Sequence, residues 1–287
     1  MLRRLGKGQL EVSVRPPLVY FDHWALREVS SSASRQEHLL ETFRSRGTLM
    51  VSLVNMVEMA KQGPGPSHDR ICRLLDGIGP HWVLSEFDAA VVAEREARGV
   101  HPPEAFLAPL DVFHLLYGQL PPGTLMLGAA LAQFHDDEAR ERAKAMLAQS
   151  EMVERLRQLR VRHRCGDVMV PNPYPERTVE WIQVELLRYL VKDGKNIKGN
   201  DVVDAWHAVV PLRYAHVVLL DGAWVNFASK LNLPDTALFS KPDLDAVRRG
   251  QLPGTAMGRR GGRTGTGLNG TRIPALPVQY EAYERCL

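Results

Sequence analysis

Four acidic side chains stand where an apolar run ends or is interrupted, and carboxylates in such places can do metal chemistry. Asp22 closes LVYFD (18–22) and Asp221 closes HVVLLD (216–221). Glu58 ends a polar stripe, Ser52, Asn55 and Glu58, that recurs every third residue of the otherwise apolar SLVNMVEMAK (52–61). Asp204 sits between Val203 and Ala205 in NDVVDAWHAVV (200–210), just before the run that delivers Asp221, and Asp201 precedes it by three residues. Carboxylates gathered in one crevice repel one another and raise one another's pKa unless a cation neutralises them. Hard oxygen ligands of this kind suit Mg²⁺ or Mn²⁺. The chemistry expected is hydrolysis of a phosphodiester by a metal-activated water, with no protein nucleophile. Each acid also has a plain reading: Asp22 and Asp221 as turn formers or helix caps, Asp201 as a first-turn acid favoured by the helix dipole, and Glu58 as a solvated side chain near a helix end.

The elements that must position these acids read as an α/β pattern. Continuous apolar runs at 18–21, 48–51, 81–84, 216–220 and 236–239 predict strands buried on both faces, with helical segments between most of them. Alternating strands and helices imply a mainly parallel sheet in a three-layer α/β/α arrangement, with ligands bound beyond the carboxyl ends of the strands. Ser85 is read as the cap of the helix that follows, with Asp88 in the capping-box position, and Asn200 as the cap of the helix bearing Asp204. Residues 99–175 read as a helical insertion without a strand. Its clearest helix runs from Asp136 to about Arg164, acidic at the start and arginine-rich at the end, as the helix dipole favours. The domain is placed at 17–240 and a flexible tail at 241–287.

Composition sets outer bounds. With 287 residues, 45% hydrophobic and 24% charged, the chain is an ordinary globular one, and its net charge of +3 does not by itself select nucleic acid. Between Arg248 and Arg272 there are six arginines and no acid among Gly, Thr and Pro, an arm suited to phosphate backbones or to solubility alone. Cys72, Cys165 and Cys286 lack paired spacing, which fits a reducing compartment and no structural zinc. No run approaches the roughly 18 apolar residues of a membrane span, so a cytoplasmic protein without membrane contact is expected. Lys192, Lys195 and Lys198 precede the Asp204 helix, where they either meet a phosphate backbone or form a solvated loop. His207 either contacts substrate or packs, and packing is the ordinary role of a histidine on a mainly apolar helix.

The early FD after a strand, the SLVNMVE segment and NDVVDAWHAVVPLRYAHVVLLD resemble the PIN-domain nucleases, over residues 17–98 and 176–240. The resemblance implies a compact α/β/α fold and a divalent-metal-dependent endoribonuclease. Asp201 is an accessory metal candidate; by motif, Asp22, Glu58, Asp204 and Asp221 become the metal-holding acids, and Ser52 and Asn55 the polar positions leading to Glu58. These last two, with Lys195 and Lys198, are the expected substrate contacts. His23 and Trp24 depart from the small polar residues usual after the first acid. RNA is the expected partner, and a second copy of the chain or a regulatory protein is compatible with it. The haloacid dehalogenase alternative lacks its second Asp, since that position is Trp24, and no GxxxxGK[ST] loop exists. A non-catalytic nucleic-acid-binding or scaffolding protein on the same fold is the other reading.

Overall fold

A strand without a charged side chain and with no alternation must be covered on both faces, and LVYF is: all four residues are buried. The computed structural model describes residues 2–6, 9–60, 63–117, 123–134, 150–166, 171–192 and 197–243. In chain order the elements are β1 (Leu2–Gly6), β2 (Gln9–Val12), β3 (Leu18–Phe21), α1 (His23–Ser30), α2 (Ala33–Ser45), β4 (Thr48–Ser52), α3 (Leu53–Ala60), α4 (Pro66–Ile78) and β5 (Trp82–Ser85). There follow α5 (Ala89–Ala97), α6 (Leu110–Tyr117), β6 (Gly123–Thr124), α7 (Leu127–Gln133), α8 (Ser150–Arg164), α9 (Val179–Lys192), α10 (Gly199–Tyr214), β7 (Val217–Leu219), α11 (Gly222–Ala228) and β8 (Ala237–Phe239).

The protein is α/β, with a central five-stranded sheet in the order β5-β4-β3-β7-β8, every pair parallel. From β3 the chain moves first to one side, through β4 to β5, and later returns to the other side as β7 and β8. The order therefore reverses between β3 and β7, which is where an open parallel sheet leaves a crevice beyond its carboxyl ends. The helices pack in two groups. One has α4 against α1, α2 and α7, and the other has α9 against α5, α8 and α10, an arrangement compatible with a helix layer on each face. Gly47 makes the sharp entry into β4: its φ is +89°, and a Cβ there would meet the carbonyl oxygen of Pro17 at 3.2 Å.

Several expectations change. A second sheet, β2-β1-β6, is antiparallel and lies partly before residue 17 and partly inside the segment expected to lack strands. Two-residue β6 has no sequence signal of its own and is a strand only because β1 lies beside it. The chain after β2 is knitted into the domain, since Arg15 N–H donates to Thr48 Oγ1 and the Arg15 guanidinium to Phe43 O. The first half of the insertion is core: Trp82 donates to Leu125 O, and residues 106–108 cover the outer edge of β5 through Glu86 N to Phe106 O and Ala108 N to Leu84 O.

Ser85 ends β5 and bonds Val51 O, while Asp88 itself caps α5 by accepting from Ala90 N. Asn200 lies inside the first turn of α10, whose cap position is Lys198. Of the helix expected from Asp136, Ser150–Arg164 is seen and 135–149 lie outside the described residues. Residues 241–243, the first of the expected tail, form a 3₁₀ turn in which Lys241 pairs with Glu28 at 2.8 Å. The arginine-rich arm lies outside the described residues. Among those described, no helix is long and apolar enough to cross a membrane.

Where α7 crosses α4 the approach is close enough to require glycine. A Cβ on Gly128 would overlap the Cys72 carbonyl and the Asp76 carboxylate, and that carboxylate accepts from Ala129 N at 3.2 Å. Alanine would add up to about 1 kcal/mol of helix propensity, but overpacking costs about 1–3 kcal/mol. Gly128→Ala is therefore expected to lower the urea midpoint with an unchanged m-value; an unchanged or raised midpoint would show that α4 and α7 are free to separate.

Candidate metal centre

The reversal between β3 and β7 places Asp22 at the base of the crevice. Asp22 has extended backbone angles and caps α1, accepting from His23 N at 2.6 Å, while its own N–H bonds Leu219 O of the neighbouring strand at 3.0 Å. The plain reading of Asp22 as a cap is thus correct, and it does not exhaust the residue. Its side chain is only 12% exposed, and that of Glu58, two residues from the end of apolar α3, is 15% exposed. Asp204 comes from α10 with 31% of its side chain exposed, and His207, one turn further along, is 2% exposed.

Ligand atoms of Asp22, Glu58 and His207 all lie within 4.8 Å of one another. Asp204 Oδ1 is 3.7 Å from His207 Nε2. His23 Nδ1 lies 3.4 Å from Asp22 Oδ1 and 3.1 Å from Glu58 Oε2. Neither His23 Nδ1 nor Glu58 Oε2 completes a well-formed hydrogen bond, although both atoms are buried. An orphaned carboxylate oxygen beside a second carboxylate is the condition a cation would relieve, so the residues present fit a divalent ion.

The titration of the group is mutual. Pairing with the Asp22 and Glu58 carboxylates pushes His23 up to about 10, against the opposing effect of burial. Burial lowers His207, but its pairing with Asp204 and the charges of Asp22 and Glu58 bring it up to about 9. Burial works against an ionised Asp22, yet His23 and His207 hold its carboxyl below its ordinary value. Burial raises Asp204, the charges of Glu58 and Asp22 add to this, and His207 opposes it. Asp204 stands outside the close group of Asp22, Glu58 and His207, and it is joined to that group through His207.

The other expected residues fall elsewhere. Asp221 is exposed and caps α11, accepting from Ala223 N at 3.0 Å and Trp224 N at 3.2 Å; it stands outside the close group of Asp22, Glu58 and His207. Asp201 also stands outside it, accepting from Lys198 N at 2.7 Å and so tying down the start of α10. Ser52 and Asn55 are 1% and 0% exposed, so neither offers a surface to substrate; they bond each other, and Asn55 bonds the Tyr20 hydroxyl. Lys198 is exposed, and Lys195 lies outside the described residues. Arg157, from the basic end of α8, donates to Ile197 O and so holds the approach to α10.

Sequence reasoning missed Tyr20 and set His207 aside. The signals were the i, i+2 spacing of Tyr20 and Asp22 on one strand and the i, i+3 spacing of Asp204 and His207 on one helix. No family model, curated protein or solved structure matches the chain.

The histidines give the ion-free protein a defined pH response. A folded-state pKa near 10 for His23, above the ordinary 6.5, means the folded state binds that proton more tightly. Its stabilising effect is complete below about pH 6.5 and is lost as pH rises through about 10. In chelator, the urea midpoint is expected to fall between pH 7 and 10, and to fall less steeply in His23→Gln. Parallel profiles for the two proteins would contradict the pairing of His23 with the acids.

Proposed function

We propose that the chain is a divalent-metal-dependent nuclease of PIN-like architecture that hydrolyses phosphodiester bonds, with RNA as its substrate. The observation that carries this reading is the close group of Asp22, Glu58 and His207 at the sheet's reversal, with Asp204 next to it, 3.7 Å from His207. Support for the PIN-like assignment comes from the order of the acids along the chain and from the five-stranded parallel sheet. The choice of RNA rests on the resemblance alone.

Asp22, Glu58 and Asp204 would hold the ion through oxygen atoms. When bound, Mg²⁺ or Mn²⁺ supplies a water of lowered pKa and stabilises charge on the scissile phosphate and leaving oxygen. Asp22 is fixed by its cap on α1 and Glu58 by the buried helix beneath it, so both oxygens stay aimed at the crevice without reorganisation. His23, with 31% of its side chain exposed beside both acids, is the cation of the group that an incoming phosphate can reach.

A second reading has its own observation. His23 and His207 already give the acids a counter-charge, so the cluster can persist without an ion in a nucleic-acid-binding protein that cleaves nothing. Incubation of purified protein with labelled single-stranded and structured RNA and DNA, in Mg²⁺, Mn²⁺ or chelator, separates the two. The nuclease reading expects cleavage that chelator abolishes and that Asp22→Asn, Glu58→Gln or Asp204→Asn each lowers by about 10²–10³-fold, the scale of losing one preorganised electrostatic group. Binding without cleavage under every condition would establish the second reading instead.

A further inference from the structure

His207 faces the carboxylates with Nε2, and the buried polar chain behind it fixes whether that nitrogen carries a lone pair or a hydrogen. The chain begins at a group with only one possible role. The backbone N–H of Ser52 donates to Asn55 Oδ1 at 2.9 Å, and Ser52 Oγ adds a second donor at 3.1 Å. The amide oxygen of Asn55 is therefore committed to Ser52, and Nδ2 must point the other way, to the Tyr20 hydroxyl at 3.0 Å. Tyr20 is fully buried. Among the described residues its hydroxyl has two hydrogen-bond partners, Asn55 Nδ2, which can only donate, and His207 Nδ1 at 2.8 Å.

While the ring is neutral, the hydroxyl's hydrogen thus has one acceptor, Nδ1. A neutral imidazole that accepts at Nδ1 carries its hydrogen on Nε2, and a cationic one carries hydrogens on both nitrogens. Only the remaining tautomer, with hydrogen on Nδ1 alone, would offer Nε2 as a ligand. That tautomer would aim two donors at the Tyr20 oxygen and leave the hydroxyl's own hydrogen without an acceptor in a buried place, which proteins rarely tolerate.

We infer that His207 is a positioning residue that presents an Nε2–H to Asp204 and is not a ligand, so that α10 contributes an oxygen rather than a nitrogen to the ion. This rests on the metal-site reading above and deepens it. A donor set without His207 favours a hard ion, Mg²⁺ or Mn²⁺, over Zn²⁺. Asp204 Oδ1 lies 3.7 Å from Nε2, a charge contact rather than a hydrogen bond.

Two measurements on the full chain test this. In ion-free ¹⁵N-labelled protein, the His207 ring is expected to show a hydrogen bound to Nε2; a spectrum with hydrogen on Nδ1 alone overturns the inference. In Mn²⁺-loaded protein, pulsed EPR is expected to show either no directly bound nitrogen or one that survives in His207→Gln, which would then belong to another side chain. A nitrogen coupling that vanishes in His207→Gln overturns the inference. Failure of Mn²⁺ to bind would sink the metal-site reading and leave the ring spectrum to judge His207.

Discussion

Bringing carboxylates together away from bulk water is costly, and this cost organises the crevice. Asp22 and Glu58 are mostly buried and close, Asp204 feels both, and each added negative charge makes the next harder to keep ionised. The protein answers with two imidazoles, one on each side: His23 between Asp22 and Glu58, and His207 beside Asp204. A divalent ion would answer the same need more completely. The site is therefore best described as an electrostatic demand that the fold creates and partly meets.

The fold creates that demand through rigid parts. Asp22 is anchored twice, by its cap on α1 and by its N–H to Leu219. Glu58 belongs to α3, where every other residue is buried, so the helix has no freedom to roll the carboxylate into solvent. Beneath them, Ser52, Asn55, Tyr20 and His207 form a continuous polar floor linking β4, α3, β3 and α10. Buried polar groups that are all satisfied in this way hold a unique arrangement, because any slip leaves one of them unpaired.

The sheet was legible because its strands advertise burial on both faces. LVYF and TLMV are apolar without alternation, and an element four or five residues long with that pattern has few other homes. The β1–β2 pair was not legible: LRRLG and QLEV interleave charge with short apolar stretches, and β6 exists only by pairing. The acids of the site were legible by type and spacing, whereas their counter-charges were not. His207 sits on an apolar helix face, where packing is the ordinary role, and only the three-dimensional meeting with Tyr20 and Asp204 shows that both of its nitrogens are engaged.

Asp22 and Asp221 follow the same pattern, an apolar strand running into an acid that caps the next helix, yet they end in different surroundings. The reason lies in sheet order. Glu58 is carried by α3, which follows β4, and β4 is the neighbour of β3 on the side away from β7. Asp22 therefore ends one strand from the root of α3, while Asp221 ends two strands away, about 10 Å at the usual spacing. α10 then delivers Asp204 and His207 to the nearer acid, and Asp221 keeps its exposure and spends one oxygen on Ala223 and Trp224. A strand-end acid thus acquires a second role only where the topology brings other charges over it, and a linear motif does not encode that distinction.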